Sequence, residues 1–210
     1  MKIIIESDTI KALLLAAGKG DRRTMLNSIC LDVRAHDAVA VATQGHLLLA
    51  VPVEVEPTES SGLPYVVGEY VIPRAALDGI KASKGAAFIL TIDPAARTVS
   101  IEHNYNFTTV KLIDEKYPEW RRVVPLTVSG LVAQFSPDYV ATFGKIHKLL
   151  GGKYSPTILH NGDGKGSGGS ARIVLANNAV GVLMPVRYDP QPIDNPSWLD
   201  REPVSQTAAA

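Results

Sequence analysis

The sequence predicts an α+β protein built from antiparallel sheets with helices on one face. Three observations carry that expectation. A pattern of one extended run, one amphipathic helix and three extended runs recurs three times, starting near residues 2, 69 and 131. Glycine and proline punctuate each helix and hairpin. At 210 residues, 46% hydrophobic and 20% charged, the chain has the composition of an ordinary globular protein able to bury a core.

In the first unit, residues 2–6 read as a strand. Ser7 and Asp8 are candidate caps for a helix whose Ile10, Leu13, Leu14 and Ala17 share a face, and Gly18 and Gly20 end it. Strands are expected near 29–34, 38–42 and 46–55. A loop rich in Pro, Glu, Ser and Gly, 56–68, leads to the second unit. There, 70–72 is extended and Pro73 opens a helix with Leu77 and Ile80 inward, closed by Gly85. Strands follow near 87–93, 98–102 and 107–113, with Asp93-Pro94 in a turn. In the third unit, 131–135 is expected as a strand. Ser136-Pro137-Asp138 starts a helix with Tyr139, Phe143, Ile146 and Leu150 at helical spacing, and Gly151-Gly152 stop it. Strands are expected near 157–160, 171–175 and 180–186.

Residues 162–170, GDGKGSGGS, lack the GxxxxGK[ST] pattern of a phosphate loop and sit between strands, so they read as a mobile hairpin loop. From Tyr188 the chain is a Pro-rich tail, expected to be largely disordered unless Ile193, Trp198 and Leu199 dock.

Lysine and arginine total 21, as do aspartate and glutamate, so no gross attraction to nucleic acid or membrane exists. The distribution is uneven. Residues 8–23 hold Lys11, Lys19, Arg22 and Arg23 against two acids; 74–84 hold Arg74, Lys81 and Lys84 against one; 138–153 hold Lys145, Lys148 and Lys153 against one. Such helices are either solvated surface or, side by side, a sequence-independent phosphate-binding layer. No aromatic platforms interleave them, which favours duplex over single strands.

Cys30 is the only cysteine, so there is no disulfide framework, and its apolar neighbours favour an inert buried thiol. The histidines are scattered and no HExxH or Cys/His spacing exists, so no metal or cofactor is expected. No GxSxG elbow is present, and no carboxylate pair is fixed by local spacing, so no catalytic residue is assigned; only a site assembled from distant segments would make an enzyme. The start MKIIIESD is not a secretory signal, and no apolar run approaches ~20 residues, so a cytoplasmic protein without membrane contact is expected.

Residues 116–125, KYPEWRRVVP, stand out. Pro118 and Pro125 exclude a helix through them, and Arg121 and Arg122 bring roughly ten N–H donors between them. Alone, this is either an interdomain linker or a binding segment. Together with 41–48, VATQGHLL, and 182–187, VLMPVR, it resembles in order the ATDGHRL-like, PDYRRVLP-like and MPMRL-like stretches of the bacterial DNA polymerase III beta subunit, the sliding-clamp family. Residues 21–32 and 70–77 are similar to further stretches of that family.

The resemblance implies a DNA-clamp-like fold. It implies a complete clamp-like middle domain in 1–125, half of a final domain in 126–188, and a Pro-rich tail in 189–210, with the family's first domain and half of its third absent. It implies a non-enzymatic processivity factor that encircles duplex DNA and tethers polymerase or repair proteins carrying a short hydrophobic motif. The family's cleft for that motif maps onto Leu26, Thr43, Gly45, His46, Leu48, Pro118, Arg122, Val123, Tyr139, Val182, Met184, Pro185, Val186 and Arg187. DNA contacts would come from Lys11, Lys19, Arg22, Arg23, Arg74, Lys81, Lys84, Lys145 and Lys148. Leu47 stands where the family has a cleft-side arginine, and Thr24 and Met25 stand where it has tyrosines near DNA. Clamp rings contain twelve such units, so a three-unit chain is expected to close as a homotetramer, with a dimer as runner-up. The alternative is a clamp-derived module that forms no ring and regulates polymerase access.

Overall fold

The computed structural model describes residues 1–35, 37–56, 66–80, 85–164 and 168–187. The tail from Tyr188, and Lys81 and Lys84, lie outside them.

The first unit runs β1 (Lys2–Glu6), α1 (Ser7–Ala16), β2 (Ser28–Val33), β3 (Ala38–Thr43) and β4 (Leu47–Glu56). The second runs β5 (Gly68–Pro73), α2 (Ala75–Asp78), β6 (Ala87–Asp93), β7 (Thr98–His103) and β8 (Asn106–Lys111). The third has α3 (Pro137–Leu149), β9 (Thr157–Leu159), β10 (Ala171–Val174) and β11 (Val180–Leu183). All strand pairs are antiparallel. The path β5-β2-β3-β4-β1-β6-β7-β8 joins the first two units, and β11-β10-β9 branches from β4.

The first two units exchange their opening strands. β1 pairs with β6, and β5 pairs with β2. Ten-residue β4 is shared along one edge: Glu54, Val55 and Glu56 pair with β1, while Leu47, Leu48, Leu49 and Ala50 pair with β11. β4 therefore carries the third unit on the first.

Alternation along the strands sorts side chains into two cores. Ile3, Ile5, Leu31, Leu47, Leu49, Phe88 and Leu90 lie on the helix side with Ile10 and Leu13 of α1 and Phe143 and Ile146 of α3. Cys30, Val41, Leu48, Ala50, Val71 and Val182 form a second cluster with Tyr117 and Trp120. β2 is buried at all six positions, consistent with cover on both faces. Burial pushes the Cys30 thiol well above its ordinary range, which makes it an inert packing group.

Three expectations need correction. Residues 131–135 join no strand ladder. Gln134 O accepts from Val186 N–H at 2.9 Å, and Gly162 N–H donates to Leu131 O at 2.8 Å, so the segment crosses its own unit. The physical reason is that an opening strand pairs with the neighbouring unit, as β1 and β5 do, and among the described residues the third unit has no such neighbour. The helix after Pro73 is one turn, Ala75–Asp78, with Leu77 as its buried anchor. Finally, neither Ser7 nor Asp8 caps α1; Glu6 is the cap residue and its side chain makes no capping bond. Ser7 N–H instead donates to Ala86 O at 2.9 Å.

Arg74 closes the other end of α1. Its Nη1 donates to Leu14 O at 2.6 Å and Ala17 O at 2.9 Å, and Nε meets Asp78 Oδ2 at 3.2 Å. A guanidinium at a helix C-terminus satisfies orphan carbonyls and complements the dipole. No helix among the described residues is long and apolar enough to cross a membrane.

Candidate functional site: the β4–β11 junction

The junction begins with the β3–β4 turn. Gln44 N–H reaches Leu47 O at 3.3 Å around Gly45 and His46. Gly45 has φ +96°, a backbone that disfavours a side chain. Thr43 Oγ1 donates to Leu47 O at 2.7 Å and accepts from Gly45 N–H at 3.0 Å. Thr43 is thus a turn support beneath the surface. Leu26 packs beside this turn, its Cδ1 3.9 Å from where a Cβ on Gly45 would lie.

Pairing then brings the distant segment in. Leu47 faces Leu183 and Leu48 faces Val182. Beyond the ladder, Met184 N–H donates to His46 O at 2.9 Å. The His46 ring stacks on Tyr139 of α3, centroids 5.7 Å apart. Leu48 and Val182 are buried in the second core rather than open to solvent. Met184, Val186 and Val123 are exposed large apolar side chains of this set, at 41%, 39% and 44% exposure. Pro185 is half-buried and Arg187 exposed.

Residues 116–125 reach the junction because aromatic side chains anchor them on β2 and β3. Tyr117 is buried and its hydroxyl donates to Val41 O at 3.4 Å; burial pushes its phenol above the ordinary range. Trp120 Nε1–H donates to Asp32 Oδ2 at 3.0 Å. Arg121 pairs with the same carboxylate and lies 4.2 Å over the Trp120 ring, while Arg34 meets Asp32 Oδ1 at 3.5 Å. A carboxylate only 7% exposed is tolerable with such partners. The single 3₁₀ turn Trp120–Val123 then presents Pro118, Arg122 and Val123 outward. Arg122 is 80% exposed and bonds Glu119 at 3.0 Å, which lowers the Glu119 carboxyl below its usual range. Ser170 Oγ donates to Val123 O at 2.9 Å, tying this turn to the strand that pairs with β11.

The anchors Asp32, Tyr117, Trp120 and Arg121 were not among the sequence-predicted site residues. One signal pointed to them: Asp32 interrupts the apolar run of ICLDV, and a charge there requires a cation.

The basic residues divide by their partners. Lys145 and Lys148 of α3 and Lys19 and Arg22 beyond α1 are exposed. Lys11 bonds Asp8 at 2.8 Å. Arg23 holds Asp21 through its side chain and backbone, which lowers the Asp21 carboxyl to about 2. Arg74, its side chain 15% exposed, departs from expectation: it caps α1, so its donors are already engaged. Arg74→Met is therefore expected to lower stability by about 1–3 kcal/mol, the cost of leaving buried acceptors unpaired. It should leave the salt dependence of any duplex binding unchanged, whereas Lys148→Glu should lower that slope by roughly one unit without loss of stability. Thermal unfolding and titration at several salt concentrations check both.

A cavity of about 760 Å³ lies elsewhere, lined by residues 4–9, 52–54, 85–87 and Asn177, and none of the cleft residues borders it.

No family model and no curated protein matches the sequence. Solved structures do resemble it. The DNA polymerase III beta subunit from Thermotoga maritima superposes with a TM-score of 0.62 at 14% identity, over 90% of this chain and 66% of that one. The sliding clamp (DNA polymerase III subunit beta) from Pseudomonas aeruginosa bound to griselimycin has a TM-score of 0.62 at 17% identity, with the same coverage. Another sliding clamp from that organism, solved with a ligand, has 0.62 at 14%. The chain thus spans 66% of the length of these clamp structures, and it has the sliding-clamp fold.

Proposed function

We propose that this chain is a non-enzymatic clamp-like protein that tethers polymerase or repair proteins to duplex DNA. Its cleft takes a short peptide with a Leu or Phe anchor. The observation that carries this reading is the junction itself: β11 pairs with β4, and Met184, Val186 and Val123 stand exposed where three distant segments meet. Methionine and valine beside a glycine turn make an adaptable apolar seat, and Arg122 and Arg187 can rim it. The organisation implied is a complete clamp-like domain in 1–125, a half domain in 126–188 and a tail in 189–210. Helices α1 and α3 pack side by side, so exposed Lys145 and Lys148 can share a surface with Lys19 and Arg22 for phosphates. Closure around DNA then takes four chains.

The test is calorimetry of the full chain with a clamp-binding peptide bearing a Leu or Phe anchor. Met184→Ala is expected to weaken binding about five-fold or more, a loss above ~1 kcal/mol. Unchanged affinity would refute the cleft.

One observation favours the non-ring module as a second reading. Residues 130–131 bond residues 160–162 of their own unit, through Gly130 N–H to His160 O at 3.0 Å and Gly162 N–H to Leu131 O. They cover a continuation of the β9 edge that a neighbouring unit would otherwise meet.

A further inference from the structure

The third strand of each hairpin set is β4, β8 or β11. β4 and β11 pair with each other. β8, among the described residues, pairs only with β7. We infer that β8 is the seat for β8 of a second copy, in an antiparallel two-fold pairing centred on Thr108. This deepens the ring reading above by naming one of its interfaces.

The chain supplies the template. The β3–β4 turn closes with Gln44 and Leu47, and the β10–β11 turn closes with Leu175 N–H to Ala179 O at 3.3 Å. Counting from the turns, Leu47 corresponds to Ala179 and Leu49 to Gly181. Leu49 and Gly181 are directly paired in the β4–β11 ladder. The junction is therefore centred on a position facing its own counterpart, a self-complementary register. The β7–β8 turn has the same two-residue length as β3–β4: His103 faces Asn106 around Asn104 and Tyr105, both at positive φ. Asn106 thus corresponds to Leu47, and Thr108 to Leu49. Transferred to β8, the register sets Thr108 opposite Thr108 of the second copy and Phe107 opposite Thr109.

Side-chain direction agrees. Val110 packs against the helix-side core, so Asn106 and Thr108 share that face, while Phe107 and Thr109 share the other. Pairing Phe107 with Thr109 keeps each residue on its own face, as a two-fold axis normal to the sheet requires. What the pairing would cover is otherwise anomalous. Phe107 is 68% exposed and Tyr105, in the turn before it, fully exposed, and of the six strand residues only Val110 is partly buried. An edge of that kind, with neither proline nor bulge, invites another strand. Neither β4 nor β11 can be the occupant, since each already occupies the other.

The register is testable because the chain has one cysteine, Cys30, and it is fully buried. Directly opposed residues in an antiparallel pair have Cα atoms about 4.5–5.5 Å apart, within disulfide reach. Full-length Thr108→Cys is expected to form a disulfide-linked dimer under mild oxidation. Thr109→Cys, offset by two residues from its own copy and so about 8 Å away, should not. By light scattering, Thr108→Lys should halve the mass of the assembly. A Thr108→Cys chain that stays uncrosslinked, or equal crosslinking of Thr109→Cys, or a Thr108→Lys chain of unchanged mass, overturns the pairing. The clamp reading fails separately: it falls if the peptide does not bind, whatever the cysteines do.

Discussion

Trp120→Ala is expected to lower the free energy of unfolding by about 3–5 kcal/mol, the range for truncating a large buried aromatic. The indole is 8% exposed and packs with Tyr117, Leu48 and Val182 in the second core. Two further effects act in the same direction. Its N–H is one of the partners that make a nearly buried Asp32 carboxylate tolerable, and its ring is the platform on which Arg121 lies. Removing the indole leaves Asp32 with arginine partners only and lets Arg121 swing toward water. The functional consequence follows from the same contacts. Pro118, Arg122 and Val123 are presented by a turn held down through Trp120, so a chain that still folds should bind an anchor peptide more weakly than wild type. Urea unfolding measures the first effect. A loss below about 1 kcal/mol would show that Trp120 is not the anchor of residues 116–125 on β2. Trp120→Phe, which keeps most of the area but loses the N–H, should fall between the two and isolate the hydrogen bond.

Much of this arrangement was legible in the chain, for identifiable reasons. β6 was expected over 87–93 and is found at Ala87–Asp93, because strict alternation between Phe88, Leu90 and Ile92 and their neighbours sets a period of two between clear turn signals. α1 and α3 were legible because long apolar stripes at helical spacing leave no other reading. α2 was not, since a proline start and two apolar residues are equally compatible with one turn or three. Residues 131–135 have the apolar content of a strand, yet whether they pair depends on a neighbouring unit. Pairing is a tertiary property that no local pattern contains. The three cleft segments were found through resemblance to a family. The anchors beneath them, Tyr117 and Trp120, sit in a proline-bounded segment with no periodic apolar pattern, and only the second core gives them a place. Arg74 shows the opposite failure. A basic residue at the start of a helix looks like a phosphate ligand, and its real partners are three carbonyls fifty-six to sixty positions earlier in the chain.

Gly181→Ala is expected to destabilise the protein by about 1–3 kcal/mol through a single methyl group. A Cβ at this position would lie 2.4 Å from Phe143 Cε1, 2.9 Å from Phe143 Cζ and 2.9 Å from Ile173 Cβ. The Phe143 ring is 1% exposed, so it has no open space into which to turn. The backbone of Gly181 is unremarkable, which makes the cost steric rather than conformational. Its position makes that cost functional as well. Gly181 faces Leu49 across the β4–β11 ladder, and Phe143 lies one helical turn from Tyr139, which stacks on His46. A ring pushed aside there shifts both walls of the junction. Gly144→Ala is the control: nothing lies within 4 Å of its Cβ position, and alanine in a helix should stabilise by roughly 0.5–1 kcal/mol. Phe143→Leu should restore part of the loss in Gly181→Ala, giving a coupling energy of about 0.5 kcal/mol or more in a double-mutant cycle. Additive effects in that cycle would mean that the added methyl is accommodated by strand displacement instead, and peptide binding at the junction should then fall even where stability does not.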